Sequence, residues 1–303
     1  MNRSEPLVSV LMTSYNRQKY IGEAIESVLA STYTNFELII VDDCSKDSTV
    51  EIAKRYVEID KRVKIYLNEN NLGDYNNRNK ASTYAKGKYI KYLDSDDMIY
   101  PHGLEVFVRC MESDPTIALG ICSCSIQYDN AYPIKVESKD AVRTYFYKNQ
   151  FLNMSPSGCI IRKNIFDEVG GFSGKRMIGD LELWLKISFE YPVLIVPPSL
   201  IYWRQHEEQE FVIGQKEHLY LELFQGMLIE VINSPKCNLN CYEKIEIVNF
   251  YKMQSARAIL SLFIKNRKFN RSLEIYKKLD IDYKDLLKSI FNFKRKINSK
   301  KII

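Results

Sequence analysis

From Pro6 onward, apolar residues gather in short dense runs, and between the runs they recur at helical spacing. Residues 7–13 and 36–41 read as strands, and the nearly unbroken apolar stretch Glu37-Leu-Ile-Ile-Val41 suits a strand covered on both faces of a parallel sheet. A helix is predicted between them, over about residues 19–30. Another follows from the turn Ser45-Lys-Asp-Ser48 into Val50, Ala53, Tyr56 and Val57. A third strand is expected at residues 63–67. The Asn- and Gly-rich stretch 68–77 reads as loop, residues 79–86 as helix and residues 89–93 as a fourth strand. This alternation predicts right-handed βαβ units and an α/β fold with a mostly parallel central sheet. Ligands bind at the carboxyl ends of such strands, which singles out residues 13–16, 42–45 and 94–97.

Further along, a helix is expected over residues 101–112, a strand near 118–125, a strand entered at 155–161, a short helix at 163–169, a helix at 179–190 and a strand at 193–196. Residues 200–203 are expected to complete the sheet, and residues 129–153 show no clear period. After Gly214 long amphipathic helices take over, near 217–232, 242–265, 271–279 and 283–293. The expected organisation is an α/β domain over residues 1–214, with halves at about 6–100 and 101–214, followed by a helical appendage over 215–303.

Composition narrows the class. The chain has 303 residues, 46% hydrophobic and 27% charged, which permits a sizeable core. No stretch reaches the roughly 18 apolar residues of a membrane span and the first ten residues carry no long apolar segment, so a cytoplasmic protein is expected. The seven cysteines show no paired CxxC spacing, and reduced, mostly buried thiols are expected. The net charge of +5 lies in the last twenty residues, 284–303, whose seven Lys or Arg stand against one Asp. The body sums to −1, which argues against nucleic acid as a partner.

Two acidic strand ends carry the chemistry. Asp94-Ser95-Asp96-Asp97 follows the fourth strand, and carboxylates crowded at a buried strand exit repel one another unless a cation or hydrogen bonds satisfy them. Hard oxygen ligands suit Mg²⁺ or Mn²⁺; the alternative is that Asp96 or Asp97 caps the next helix. Asp42-Asp43 ends the second strand, where a carboxylate either accepts from a ribose or base or caps the helix after Ser45.

With these stretches in view, the chain resembles the family 2 glycosyltransferases of the GT-A fold over about residues 6–209. The resemblance rests on Val8-Ser-Val-Leu-Met-Thr-Ser-Tyr-Asn16, Ile40-Val-Asp-Asp-Cys-Ser45, Asn71-Leu-Gly73, Arg78-Asn79, Gly87-Lys-Tyr-Ile90, Asp94–Asp97, Val169-Gly-Gly-Phe172 and Asp180-Leu-Glu-Leu-Trp184. It implies a nucleotide-diphosphate sugar donor, UDP-linked by default, a Mn²⁺ or Mg²⁺ cofactor, and inverting transfer to a carbohydrate or lipid-linked acceptor. It implies that Thr13 and Tyr15 line the nucleoside pocket, that Asp42 or Asp43 reads base or ribose, and that Arg78, Asn79 and Asp94 border the donor. Asp96 is the implied metal ligand, with His206 near the diphosphate and metal. Asp180 matches the general base, with Glu182 and Trp184 as acceptor-side candidates. Gly179 departs from the family, which commonly has Glu there.

Simpler roles stand beside these: Asp180 as a helix cap, His206 as a loop residue, Trp184 as core packing. A nucleotidyltransferase is disfavoured because Ser14-Tyr-Asn-Arg17 lacks a glycine-rich phosphate loop, and a non-catalytic nucleotide-binding scaffold is the remaining rival. The tail interleaves Lys288, Lys294, Arg295, Lys296, Lys300 and Lys301 with Leu287, Ile290, Phe291 and Phe293. That composition suits a segment resting on an anionic membrane face, and a solvated tail is the alternative.

Overall fold

The structure, a computed structural model, describes residues 5–123, 131–207, 209–216 and 218–291. It divides into two compact units: the first holds residues up to Ala141 together with Phe151–Gln205, and the second holds Val142–Gln150 and the chain from His206.

In the first unit, β1 (Val8–Ser14) and β2 (Phe36–Asp42) are buried along their whole length, as expected of dense apolar runs covered on both faces. The amphipathic helices α1 (Ile21–Leu29) and α2 (Thr49–Ile59) connect β1, β2 and β3 (Val63–Leu67), and Ile21, Ala24, Ile25 and Val28 bury one face of α1. Then come α3 (Asp74–Tyr84), β4 (Tyr89–Tyr92), the two-residue β5 (Met98–Ile99), α4 (Gly103–Glu112), β6 (Leu119–Cys122), β7 (Ile134–Val136) and α5 (Ser138–Arg143). After Phe151 follow β8 (Cys159–Arg162), α6 (Lys163–Glu168), α7 (Gly179–Glu190), β9 (Val193–Val196) and β10 (Ile201–Tyr202).

The eight-stranded sheet runs β3-β2-β1-β4-β8-β6-β9-β7. The four strands from β3 to β4 are mutually parallel, whereas β8 pairs antiparallel with both β4 and β6. The chain winds outward from β1 to β3 and then returns to the other side of β1 with β4. A switch point therefore lies at the carboxyl ends of β1 and β4, where Leu93 N–H donates to the Leu11 carbonyl at 3.0 Å.

Three expectations need correction. Residues 201–202 do not join the main sheet; they pair antiparallel with Met98–Ile99 in a ribbon of two strands. The helix expected at 79–86 begins five residues earlier, and Asn side chains that suggested a loop bind backbone carbonyls instead: Asn76 donates to the Leu72 carbonyl and Asn77 to the distant Val41 carbonyl, both at 3.0 Å. Residues 129–153, read as loop with uncertain strands, contain the strand β7 but also the helix α5 and a π-helical turn at Thr144–Lys148.

The second unit contains α8 (Glu210–Lys216), α9 (Leu219–Ile232), α10 (Cys241–Ile264), α11 (Phe269–Lys278) and α12 (Tyr283–Phe291). Asn240 and Glu243 form a reciprocal capping box at the start of α10. Buried Glu243 also takes the Arg143 guanidinium, Nε at 2.6 Å and Nη2 at 2.9 Å, which explains why residues 142–150 belong with these helices. The boundary thus falls at Gln205–His206 and includes this distant strap, where the sequence suggests a single break near Gly214. Among the described residues no helix is long and apolar enough to cross a membrane, and the six described cysteines are free, Cys124 lying outside them.

Candidate active site

The acidic run at the end of β4 folds back on itself. Asp97 N–H donates to the Asp94 carbonyl at 2.9 Å, so one carboxylate oxygen from each of Asp94, Asp96 and Asp97 lies within 4.8 Å of the others. Capping does not account for them: β5 intervenes, His102 occupies the N-cap of α4, and no side chain caps that helix. Burial, then the charges of Asp94 and Asp96, push the Asp97 carboxyl far above the usual carboxylate range. A cluster with this much repulsion and this many hard oxygens fits a divalent cation.

Three basic groups surround it. Arg17 Nε stands 3.3 Å from Asp96 Oδ2, and Arg204 gives its backbone N–H to Asp97 Oδ1 at 3.1 Å and its Nε to the Asp96 carbonyl at 2.9 Å. Lys91 is fully buried within β4, donating its ammonium to the carbonyls of Tyr92 and Ser157, and burial lowers its pKa to about 8. Ser157 in turn accepts the Asp94 N–H at 2.9 Å and bonds the Asp97 carboxylate.

Arg78 projects from α3 and is buried between two carboxylates, Nε 2.8 Å from Asp74 Oδ1 and Nη2 2.7 Å from Asp94 Oδ1; its buried Nη1 has no hydrogen-bond partner. The structure thereby brings Arg78 and Asp94 together. Asn79 has a different job. Its amide clamps the Phe172 backbone, donating to the carbonyl at 2.8 Å and accepting the N–H at 2.9 Å. Gly171 allows this clamp: it sits at φ +66, and a Cβ there would lie 2.7 Å from Asn79 Oδ1. Thr13 is buried in β1, while Tyr15, just past its end, is 45% exposed at the open edge of the switch point.

Asp42 and Asp43 are both buried and engaged. Asp42 accepts from Ser14 Oγ at 2.9 Å, Ser45 N–H at 2.8 Å and Ser45 Oγ at 2.6 Å. Asp43 accepts from the Leu72 and Gly73 N–H groups at 2.8 and 2.9 Å and from the Asn68 amide at 2.8 Å. Neither caps α2; Asp47 receives the Thr49 N–H there, at 3.0 Å.

Asp180 lies in the first turn of α7, whose N-cap is Ile178. Its carboxylate takes the Leu181 N–H at 2.7 Å, so it does bind one free amide of that turn. Burial nevertheless raises its pKa to about 6, against the lowering effect of the Leu181 N–H, the Arg78 charge and a bond from the Tyr75 hydroxyl. That value suits a general base working near neutrality. The acceptor-side candidates on the same helix face inward. Trp184 is 0% exposed, donates Nε1–H to the Met154 carbonyl at 2.9 Å and meets Phe172 edge-on, as a core residue does. Glu182 is buried and held by Ser173, Lys175 and Lys186. His206 is the first residue of the second unit, its backbone N–H donating to Gln209 Oε1 at 3.4 Å.

Ser157, Lys91, Asp74 and Tyr75 complete the site without having been singled out from the sequence, and Asp97, read there only as part of the acidic run, joins them. Asp97 was visible in the acidic run, and Asp74 could have been found from its position four residues before Arg78 on a helix. Ser157, sixty-three residues from Asp94, gave no local signal.

Comparison with known proteins agrees with this geometry. Residues 9–170, more than half of the chain, match the family described as Glycosyl transferase family 2. An uncharacterised glycosyltransferase of Methanocaldococcus jannaschii is 33% identical over 232 residues, covering 71% of this chain and 77% of that relative. A putative teichuronic acid biosynthesis glycosyltransferase of Bacillus subtilis is 45% identical over 97 residues, 32% of this chain and 38% of its own length. The crystal structure of Staphylococcus aureus TarS residues 1–349, in complex with UDP-GlcNAc, superposes with a TM-score of 0.66 at 20% identity, over 88% of this chain and 79% of that one.

Proposed function

The chain belongs to glycosyl transferase family 2, and we propose that it moves a sugar from a nucleoside-diphosphate donor to an acceptor hydroxyl with inversion at the anomeric carbon. The observation that carries this reading is the pairing of a three-carboxylate cluster at the switch point with a carboxylate, Asp180, whose pKa is raised to about 6. The GT-A fold itself is shared with TarS.

Asp96, with Asp97 and Asp94, would hold Mn²⁺ or Mg²⁺. When bound, such an ion offers positive charge to the departing nucleoside diphosphate. Arg78, with a buried Nη1 to offer, would bind the donor beside Asp94, and Tyr15 would stack on the nucleoside. Thr13 would line the same pocket, which Asp42 and Asp43 shape through the loops they hold. Asp180 would take the proton of the acceptor hydroxyl as that oxygen attacks, a contribution of roughly 10²–10⁴ in rate. A hexosyl or N-acetylhexosaminyl donor carried on UDP is the proposed substrate, supported by TarS being bound to UDP-GlcNAc. His206 as an additional ligand rests on the family resemblance alone.

The proposed acceptor is a carbohydrate or lipid-linked precursor of a surface polysaccharide, a reading supported by the teichuronic acid relative. The proposed location is the inner membrane face. On α12, Tyr283, Leu287 and Ile290 are exposed at helical spacing, and Lys284 and Lys288 share the helix. The remaining basic residues of the tail, from Lys294 on, lie outside the described residues.

The reaction is tested by nucleotide release from a panel of UDP-, GDP- and dTDP-sugars with membrane extract as acceptor. Asp180→Asn should retain donor binding while turnover drops at least about 100-fold. Undiminished turnover removes Asp180 from the mechanism, and no release from any donor by the unaltered protein contradicts the transferase reading.

A further inference from the structure

A side chain from another element packs against the backbone beside Asp180. Tyr75, in the first turn of α3, is buried and lies 5.0 Å from Phe172 between ring centroids. Its ring covers Gly179 so closely that a Cβ at that position would stand 2.9 Å from it. The Tyr75 hydroxyl faces the Asp180 carboxylate and backbone N–H, and it favours the ionised carboxylate. Burial, followed by the charges of Asp180 and Asp74, keeps the phenol well above its usual range, so it remains a donor whenever Asp180 is ionised.

We propose that Tyr75 is a positioning residue for Asp180, aiming its carboxylate through the hydroxyl, and that residue 179 is glycine because the tyrosine ring occupies the space of a side chain there. This rests on the reading of Asp180 as the base. It gives Gly179 a physical reason: a larger residue pushes the ring, and with it the hydroxyl, away from the carboxylate. Other groups facing Asp180 are Asp74 and Arg78 on α3, the Leu181 N–H on its own helix, and the Cys159 thiol on β8.

The test is titration of the full chain labelled with ¹³C at the Asp carboxyls, the Asp180 resonance being assigned by its loss in Asp180→Asn. Tyr75→Phe keeps the ring and removes only the hydroxyl. The Asp180 midpoint should rise by about half a unit or more, because a hydrogen bond to the ionised form is lost. Gly179→Ala should move the midpoint in the same direction. An unchanged midpoint in a folded Tyr75→Phe protein overturns the proposal, as does an unchanged midpoint in Gly179→Ala should Tyr75→Phe not fold. Nucleotide release from UDP-GlcNAc separates this from the parent reading. Loss of turnover in Asp180→Asn with an unaltered rate and pH profile in Tyr75→Phe sinks the role of Tyr75 alone, whereas retained turnover in Asp180→Asn sinks the base.

Discussion

Asp43 separates a ligand-reading carboxylate from one that builds the wall of the pocket. Its two oxygens receive three donors, from Leu72, Gly73 and Asn68, all within 2.9 Å, and the side chain is buried. Hydrogen bonds to a charged acceptor contribute about 1.5–3 kcal/mol each, and they are not fully additive within one network. Removing the carboxylate in Asp43→Ala should therefore cost about 4 kcal/mol in holding the loop 68–73. Asp43→Asn, which leaves one accepting oxygen and turns an NH₂ group toward the other donors, should cost about half as much. Hydrogen exchange reads this at the affected amides: about 4 kcal/mol corresponds to exchange at Leu72 and Gly73 roughly 10³-fold faster. Nucleotide affinity should fall as a consequence of the loosened loop. Exchange within a few-fold of the unaltered protein, accompanied by lost nucleotide binding, would refute the wall-building role and restore Asp43 as a direct reader of the base or ribose.

Other consequences can be measured independently. Turnover should fall as pH drops through about 6, where Asp180 takes up its proton, so an acid limb well below that value contradicts its assignment as base. Because the folded pKa lies above the ordinary value of 3.8, Asp180 costs stability progressively as pH rises from about 4 to about 6, and in full above that. Asp180→Asn should therefore be more stable by about 3 kcal/mol at pH 7.5 and lose that advantage below pH 4; equal stability at both pH values rules this out. Gly171→Ala forces a left-handed backbone on alanine and drives its Cβ into the Asn79 amide. A loss of about 2–3 kcal/mol in urea unfolding is expected, with an effect under 1 kcal/mol arguing against the clamp. Removing residues 284–303 should release the protein from phosphatidylserine vesicles at low salt; unaltered partitioning excludes the tail as the anchor.

The sequence was informative where one physical signal dominated. Dense apolar runs marked β1, β2 and β4 because a strand buried on both faces needs no polar positions, and the acidic residues at their ends stood out against that background. It was misleading where side chains were spent on backbone, near or distant. The Asn residues of 68–77 look like loop formers, yet Asn76 and Asn77 satisfy backbone carbonyls and let α3 start at Asp74. Asn79, grouped with Arg78 as a donor contact, instead grips Phe172. Trp184 and Glu182 share a helix with Asp180, but that helix is packed on nearly every side, so spacing alone did not show that both face inward. Tyr75 and Gly179 are separated by about a hundred residues, and only the fold reveals that the ring of one explains the missing side chain of the other.

The account stands most directly on the carboxylate cluster serving a nucleotide. Calorimetric titration of UDP, GDP and dTDP into metal-free protein, with and without Mn²⁺ and beside Asp96→Ala, measures that claim. Binding of one nucleotide that requires Mn²⁺ and vanishes in Asp96→Ala is the predicted result. No binding of any nucleotide, or binding indifferent to both the ion and the substitution, would contradict it.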